Sequence, residues 1–194
     1  KIGAIDFRKE LSLLETIRAS FGPDKIEIRV DANGAFDLPK AIRFCKEMEV
    51  FNIDYIEQPL PSEELVDLAE LRYHTNIPIA IDESLTDCHS AEENIKQQTA
   101  DIFVIKPMIS GGFVETRKIV KLAKQENIRV VITSSLETEI GRMACLHVAA
   151  ANEISESCGL ATGTFLQEDK KTENINEGKI VLPQSYGLGI AIEE

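Results

Sequence analysis

The sequence lacks the features of several common protein classes. No apolar run approaches the roughly 18 residues of a membrane-spanning helix, and no signal peptide is visible. Positive charge is scarce, because 21 Lys and Arg residues stand against 33 Asp and Glu residues, giving a formal net charge of -12. Such a balance argues against a nucleic-acid-binding surface. We therefore expect a cytoplasmic protein that has neither a membrane nor a nucleic acid as its partner.

Cysteine is also scarce, and its spacing fits no common metal or redox motif. The cysteines lie far apart, and none forms a CxxC pair. A zinc site is therefore not expected, and reduced thiols in a cytosolic protein are the simplest interpretation. The four residues are Cys45, Cys88, Cys145 and Cys158.

The chain also lacks an initiating methionine. It opens on Lys1-Ile2-Gly3, which reads like the end of a strand. We therefore expect these 194 residues to be part of a longer protein. Their number and a hydrophobic content of 43% are nevertheless sufficient for one domain with a sizeable core.

What the sequence does contain is an alternation of apolar, β-branched runs with amphipathic stretches. In the stretch 113–126, for example, Val114 and Ile119 are apolar whereas Lys118 and Lys121 are charged, as on a surface helix. The alternation predicts a parallel sheet with right-handed crossovers. The predicted strands are Ile26–Asp31, Ile53–Glu57, Ile79–Asp82, Ile102–Lys106 and Arg129–Thr133, and the predicted helices lie near 7–20, 38–50, 62–73, 89–98, 113–126 and 138–152.

The ends of these predicted strands are evenly spaced. Asp31, Glu57, Asp82 and Lys106 follow one another at intervals of 26, 25 and 24 residues. This period matches the βα module of a (β/α)8 TIM-type barrel, the fold class that we predict. The competing fold is a doubly wound open sheet, which usually carries a glycine-rich phosphate turn after its first strand. No such turn is present.

The predicted barrel is incomplete within this chain. About seven strands can be counted if Lys1 ends one strand and the segment Cys158–Thr162 forms the last, whereas a complete barrel has eight. We assign residues 1–163 to the barrel modules that carry the active site. Residues 164–194 differ in character and are expected to form a tail that packs outside the barrel.

An ionisable residue ends each of four apolar strands. In a barrel these ends meet on one face, where the active sites of such enzymes are built. The carboxylates of Asp31, Glu57 and Asp82 would repel one another there unless a cation lay between them. Oxygen ligands without His or Cys suit Mg²⁺, with Mn²⁺ as the alternative ion. The competing interpretation is that these acids cap the helices that follow.

Lys106 stands after three apolar residues and before Pro107, which stops the strand. A lysine in this position is costly to bury unless it has a partner. The alternative is that its stem packs against apolar neighbours while its ammonium group reaches water.

Taken together, four short motifs resemble the barrel motifs of the enolase superfamily, muconate lactonising subgroup. The resemblance runs in order through Lys1–Gly163. The motifs are Asp31-Ala32-Asn33-Gly34, Ile56-Glu57-Gln58-Pro59, Ile81-Asp82-Glu83-Ser84 and Ile105-Lys106-Pro107.

The resemblance implies roles for particular residues. Asp31, Glu57 and Asp82 would bind Mg²⁺, and Asn33 and Glu83 would support these ligands from outside the coordination sphere. Lys1 maps onto the catalytic acid/base, the second lysine of a Lys-x-Lys motif, and Lys106 onto the lysine on the opposite side of the site. A lysine base acting with Mg²⁺ is a known property of the superfamily. A lysine in a cationic, partly desolvated site would have a lowered pKa.

Two further segments distinguish members of the subgroup. Thr133-Ser134-Ser135-Leu136-Glu137 resembles the seventh-strand segment of o-succinylbenzoate synthases, in which the serines lie near the substrate carboxylates; a helix cap is the alternative for Ser134 and Ser135. Gly159 and Ala161 stand where dipeptide epimerases carry an Asp-x-Asp pair. The resemblance therefore favours an o-succinylbenzoate synthase, with a muconate or chloromuconate cycloisomerase, an N-acylamino acid racemase or a dipeptide epimerase as alternatives.

The resemblance also implies an N-terminal α+β cap domain as a partner, whose loops close over the site and help to select a small carboxylate substrate. No cap is present in this sequence, so we expect the isolated chain to be inactive. A catalytically silent barrel fragment is the alternative of a different class. The sequence leaves open whether the protein forms a homo-oligomer.

Overall fold

The computed structural model describes residues 1–165 and 175–190, and it divides the chain into two compact units, Lys1–Phe103 and Val104–Glu194. Its α-helices are α1 Phe7–Ser20, α2 Leu38–Met48, α3 Leu65–His74, α4 Cys88–Gln97, α5 Phe113–Gln125 and α6 Glu139–Ala151. Its strands are β1 Ile28–Asp31, β2 Ile53–Glu57, β3 Ile79–Ile81, β4 Ile102–Ile105, β5 Arg129–Ile132, β6 Ile175–Asn176 and β7 Lys179–Ile180. Within the described part of the chain, no helix is both long and apolar enough to span a membrane.

The first unit is a parallel sheet covered by helices. Its strands lie in chain order, β1-β2-β3 followed by the start of β4, and the pairs β1–β2, β2–β3 and β3–β4 are parallel. All residues of β3 and β4 are buried, as expected for parallel strands packed on both faces. Chain order without a reversal excludes the doubly wound alternative for these strands, because such sheets reverse their order at a switch point.

Aspartate side chains cap the amino-terminal ends of three of the four α-helices in this unit. Asp6 accepts a hydrogen bond from the N–H of Arg8 at the start of α1, and Asp37 accepts one from the N–H of Lys40 at the start of α2. Asp87 forms a capping box at the start of α4. Each cap satisfies an N–H that the helix itself leaves without a partner.

Arginine side chains fix the amino-terminal ends of the strands. Arg29 pairs with Asp54 at 2.8 Å, Arg72 pairs with Asp101 at 2.7 Å, and Asp101 also accepts the N–H of Ile79 at 2.9 Å. Each pair joins residues that are 25 to 29 positions apart, which is about one βα module. These contacts lie at the end of the sheet opposite to the predicted site.

Arg18 joins helix α1 to the same end. Its guanidinium donates to the carbonyls of Phe51 at 2.6 Å, Ile26 at 2.9 Å and Asn52 at 3.0 Å. Three carbonyls that belong to the loops before β1 and β2 are thereby held by one planar group, a geometry that lysine does not reproduce.

The second unit contains the end of β4, then α5, β5 and α6. Strand β5 neighbours β4, and the N–H of Thr133 donates to the carbonyl of Ile105 at 3.0 Å. Arg129, at the start of β5, makes two hydrogen bonds of 2.8 Å to the carboxylate of Glu156, which repeats the one-module pairing of the first unit.

Two segments that the sequence predicts as strands do not form complete strands. Lys1 is not in a strand, although the next residue donates its N–H to the carbonyl of Asp31 at 2.8 Å. The segment Cys158–Thr162 contributes one bridge, between Gly159 and Thr133, and then turns into a short 3₁₀ helix, Thr162–Phe165. Of the predicted tail, residues 166–174 and 191–194 lie outside the described part of the chain, and β6 and β7 form an antiparallel pair.

Candidate active site

Three carboxylates stand at the carboxyl ends of β1, β2 and β3. Asp31 pairs directly with Glu57 across the parallel ladder, and Glu57 pairs with Ala80. Paired residues of neighbouring strands project from the same face of a sheet, and so do residues two apart on an extended strand. Strand register therefore places Asp31 and Glu57 on one face, and Asp82, the first residue after β3 and two residues beyond Ala80, continues the same alternation.

None of these carboxylates caps a helix. The residues that precede α2, α3 and α4 are Asp37, Glu64 and Asp87. The capping hypothesis for the strand-end acids is therefore wrong, because other acidic residues further along each loop occupy the capping positions. Asp82 is buried and Asp31 and Glu57 are half-buried, which is costly for carboxylates without polar or cationic neighbours.

Lys1 provides a cationic neighbour. Its Nζ donates hydrogen bonds to Oδ2 of Asp31 and to Oδ1 of Asn33. The backbone beside Lys1 is anchored as well, since the N–H of Gly3 donates to the buried carboxylate of Glu10 at 2.7 Å. The predicted catalytic lysine and the first predicted metal ligand are thus in direct contact.

The pKa of Lys1 is raised above its usual value. Partial burial acts to lower this pKa, but the hydrogen bond to Asp31 and the negative charges of Asp31, Glu57 and Glu83 together outweigh it. The expected lowering of the pKa assumed a cationic site. The groups that act on Lys1 here are carboxylates, and they favour its charged form.

Asn33 and Glu83, the two residues expected to support the ligands, contact each other. The side-chain amide of Asn33 donates to the carboxylate of Glu83 at 2.9 Å, and the backbone N–H of Asn33 donates to Asp31 at 2.9 Å. Asn33 has a positive φ of 44°, a conformation that asparagine tolerates better than most residues. The loop after β1 is therefore bonded both to its own carboxylate and to the loop after β3.

Gln58 is a buried polar residue to which the sequence analysis gave no role. Its side chain is fully buried and hydrogen-bonds the loop that begins at Asp82. The available signal was the type of residue itself, a glutamine directly after an apolar strand that ends in Glu57, because a polar group buried in that position needs partners.

The residues of this face fit a hard divalent cation by donor type and by register. All three strand-end groups are carboxylates, the ligands that Mg²⁺ prefers. Within residues 1–165 and 175–190, no three His, Cys, Asp or Glu side chains stand close enough together to hold a metal ion as they are placed. Asp31 is bonded to Lys1 in this arrangement, so a cation that bound here would have to compete with an ammonium group for that carboxylate.

Lys106 directly follows β4 in the second unit and is half-buried. Its backbone carbonyl accepts the N–H groups of Ile109 and Ser110, both at 2.9 Å, so the chain turns sharply after it. The hydroxyl of Ser110 is in turn bonded to Thr116 at 2.9 Å, which ties this turn to helix α5.

Ser134 and Ser135 follow β5 and are bonded to the segment after α6. Ser134 is buried, and its hydroxyl lies 2.8 Å from that of Thr162. The carbonyl of Ser135 accepts the Thr162 hydroxyl at 3.2 Å, and its N–H donates to Glu137 at 3.2 Å. The helix-cap hypothesis for both serines is wrong, because Thr138 precedes α6.

A cavity of about 440 Å³ in the second unit begins next to Lys106. It is lined mainly by apolar groups, and its one carboxylate, that of Glu137, is buried. Burial and the charge of Glu137 together raise the pKa of the Cys145 thiol to about 12, so this thiol is a poor nucleophile at neutral pH. The lining consists of Pro107, Met108, Gly112, Phe113, Leu136, Glu137, Thr138, Gly141, Ala144 and Cys145.

A larger groove, of about 510 Å³, lies in the first unit and contains none of the predicted site residues. It is bordered by Arg72 and Asp101, which are bonded to each other at the amino-terminal end of the sheet. Because active sites of parallel βα folds lie at the carboxyl ends of the strands, we assign the chemistry to the carboxylate face and not to this groove.

Comparison with known proteins gives the family. The family model "Enolase C-terminal domain-like" matches residues 1–194. An o-succinylbenzoate synthase of Desulfotalea psychrophila is 36% identical over 165 residues, which cover 84% of this chain and 45% of that protein.

Solved structures give the same result for the fold. Muconate lactonizing enzyme of Pseudomonas fluorescens, in complex with muconolactone, superimposes with a TM-score of 0.93 and 27% identity over 100% of this chain and 53% of that one. A dipeptide epimerase of Enterococcus faecalis superimposes with a TM-score of 0.79 and 30% identity, covering 83% and 46%. The predicted fold class is confirmed, and the chain spans about half the length of the curated relatives it matches.

Proposed function

Because this chain belongs to the enolase C-terminal domain-like family, we propose that the protein removes a proton from the carbon beside a carboxylate of a small substrate. The observation that supports this proposal is the pairing of Asp31 with Glu57 across the parallel ladder, with Asp82 two residues beyond the partner of Glu57 and Lys1 bonded to Asp31. A lysine and a set of carboxylates with the right donors for a divalent cation are the two components that such a reaction needs.

The difficulty of the reaction lies in charge. Loss of a proton beside a carboxylate places a second negative charge on the same group, which gives a dianionic enediolate. Mg²⁺, or Mn²⁺ in its place, held by Asp31, Glu57 and Asp82 would act as a Lewis acid toward this charge. Asn33 and Glu83 would keep these ligands in place, as their hydrogen bond to each other and the bond from Asn33 to Asp31 indicate.

We assign the proton transfer to Lys1. Its ammonium group lies against Asp31, and the N–H of Gly3, two residues further along, is bonded to Glu10. Lys106 is the second lysine of the proposed mechanism. It would stabilise the developing negative charge as a cation, or donate a proton to it as an acid. A positioned acid or base of this kind contributes about 10²–10⁴-fold to the rate.

For the overall reaction we favour dehydration of a cyclohexadiene carboxylate, the o-succinylbenzoate synthase activity of menaquinone biosynthesis. Two curated relatives with this activity are 36% and 34% identical to the chain. The segment from Thr133 to Glu137 and the free thiols of all four cysteines agree with such a cytoplasmic enzyme. Ser134 and Ser135 would lie near the substrate carboxylates, Ser135 through its less buried side chain.

Gly159 disfavours the epimerase alternative on steric grounds. A Cβ added at Gly159 would lie 2.4 Å from the hydroxyl and 3.1 Å from the Cβ of Thr133. An aspartate at this position, as the resemblance gives for dipeptide epimerases, would therefore need the Thr133 side chain to move aside. Cycloisomerisation of a muconate stays the second candidate, because a muconate cycloisomerase aligns over 99% of this chain at 30% identity.

The proposed roles divide along the chain. We assign the catalytic residues to 1–163, a packing role outside the barrel to 164–194, and closure over the substrate to an N-terminal cap domain, since the curated relatives are about twice as long as this chain. The whole activity is therefore assigned to the full-length protein.

The test is a turnover assay of the full-length protein with Mg²⁺ against four substrates: the cyclohexadiene carboxylate, cis,cis-muconate, an N-succinylamino acid and L-Ala-L-Glu. We expect dehydration of the first with a kcat of roughly 1–10³ s⁻¹, and loss of both Mg²⁺ binding and turnover in Asp82→Asn. Faster turnover of another substrate would overturn the specific activity. Absence of turnover with all four, together with absence of Mg²⁺ binding in calorimetry, would instead support the catalytically silent alternative.

A further inference from the structure

Gln58 occupies an unusual position directly after Glu57. Its side chain is fully buried, and its φ is +36°, in the left-handed region that non-glycine residues seldom adopt. A non-glycine residue in this backbone conformation costs free energy, and it persists only where the surroundings fix it firmly. The contacts of Gln58 show what fixes it.

Every hydrogen-bonding group of its side-chain amide is used. The nitrogen donates to the carbonyl of Leu60 at 2.9 Å and to the hydroxyl of Ser84 at 2.8 Å. The oxygen accepts the backbone N–H groups of Asp82 and Ser84, both at 3.1 Å. An amide offers two donors and two acceptor sites, so the set is complete, and a flipped amide would place its nitrogen against two N–H donors.

The backbone of Gln58 adds bonds to strand β3 and to the loop after β1. Its N–H donates to the carbonyl of Ala80 at 2.8 Å, and its carbonyl accepts the N–H of Gly34 at 2.7 Å. One residue therefore bonds the loop after β1, the end of β2 and the loop after β3. These are the segments that carry the three strand-end carboxylates.

The bond to Asp82 matters most, because Asp82 lies beyond the end of its strand. The ladder between β3 and β4 ends at the pair of Ile81 and Phe103. The N–H of the next residue, Asp82, is held by the Gln58 side chain instead of by a neighbouring strand. The backbone of Asp82 is thereby tied to the residue that follows Glu57.

We propose that Gln58 is a positioning residue that fixes the distance between the carboxylates of Glu57 and Asp82 and so sets the Mg²⁺ affinity of the site. This inference rests on the proposed function, since it assumes that the two carboxylates bind one cation. Residues that orient metal ligands from behind change metal affinity by about 10–100-fold when they are replaced.

The experiment compares two buried amides that hold the same loop. Gln58→Met removes the bond to Asp82 and keeps the approximate size of the side chain. Asn94→Leu is the matched control, because Asn94 is also buried and donates to the carbonyl of Ser84 at 2.9 Å, whereas its other side-chain partners are Ser90 and Thr99 and not Asp82. Both variants leave buried polar groups of the loop without a partner, so both should lower the melting temperature of the metal-free full-length protein.

Mg²⁺ affinity, measured by calorimetry on the full-length protein, separates the two roles. We expect the Kd to rise by about 10–100-fold in Gln58→Met and to change little in Asn94→Leu, although both lose thermal stability. If the two variants lose affinity equally for an equal loss of melting temperature, Gln58 has only a structural role and the inference is overturned.

A gentler variant keeps the test decisive if Gln58→Met does not fold. Ser84→Ala removes one acceptor of the Gln58 amide, and we expect a smaller rise in Kd in the same direction; an unchanged Kd would overturn the inference. The proposed function is tested separately by native protein and Asp82→Asn. Mg²⁺ binding by the native protein that Asp82→Asn weakens and Gln58→Met does not would leave the function standing and remove only the role of Gln58. Native protein that does not bind Mg²⁺ would remove both.

Discussion

A methyl group added at Gly159 should destabilise the protein through a single contact. Gly159 donates its N–H to the carbonyl of Ile132 at 3.0 Å and accepts the N–H of Ser134 at 3.0 Å, so it lies flat against the end of β5. Its φ lies outside the left-handed region, and an alanine there meets no backbone penalty. The added Cβ would nevertheless lie 2.4 Å from the hydroxyl and 3.1 Å from the Cβ of Thr133.

The size of the effect follows from two opposing contributions. Overpacking of this kind costs about 1–3 kcal/mol, whereas a Gly-to-Ala change stabilises by about 0.4–1 kcal/mol by restricting the unfolded chain. We expect Gly159→Ala to lower the free energy of unfolding by about 1–2 kcal/mol, the balance of these contributions. Urea denaturation with an unchanged slope would measure it.

Two companion variants isolate the contact. Gly22→Ala is the matched control, because its φ is also ordinary and its Cβ would meet only the exposed side chain of Asp24, so we expect no loss of stability. Thr133→Ala removes the nearer of the two Thr133 atoms, and in its background Gly159→Ala should cost less than in the native sequence. Strict additivity of Gly159→Ala and Thr133→Ala would refute the steric argument, and with it the reason for disfavouring an aspartate at this position.

Further predictions concern stability, thiol reactivity and proton transfer. Arg18→Lys should lower the free energy of unfolding by about 1–3 kcal/mol, because an ammonium group cannot reach three carbonyls at once. A change near zero in urea denaturation would show that these three hydrogen bonds do not stabilise the protein. Burial raises the pKa of Cys45 and of Cys145 to about 12, so both thiols stay protonated at pH 8. Iodoacetamide should therefore label the native protein first at its two less buried cysteines, and early labelling of Cys45 seen by mass spectrometry would count against this. Lys106→Met in the full-length protein should lower kcat by about 10²–10⁴-fold with Mg²⁺ binding retained, and near-normal turnover would remove this lysine from the mechanism.

The periodic part of the fold could be predicted closely from the sequence. Strand β2 and helix α1 have the predicted bounds, and the predicted ends of β3, β4 and β5 each differ by one residue. The pattern was strong because each βα module buries one apolar strand and one helix face, and both periods are visible in the residues. The strand-end residues Asp31, Glu57 and Asp82 could be found for the same reason, since they end the apolar runs.

Contacts between polar groups distant in the sequence could not be predicted in this way. Gln58 bonds Asp82 and Ser84 across 24 and 26 positions, and no local pattern encodes those partners. Arg18 likewise reads as a charged residue on an amphipathic helix, although its guanidinium is bonded to carbonyls 33 and 34 positions away. The segment Cys158–Thr162 was overestimated because an apolar and glycine-containing run suits a strand and a single bridge equally well.

The pairing of arginines with acids about one module away has a consequence for how such a chain can change over evolutionary time. Each of the pairs Arg29–Asp54, Arg72–Asp101 and Arg129–Glu156 joins residues about one module apart, and none of them includes a strand-end carboxylate. Substitutions among these pairs should alter thermal tolerance while leaving substrate choice untouched. Loops at the other end can correspondingly diverge toward new substrates without first acquiring a new scaffold, as expected of a fold that hosts many chemistries.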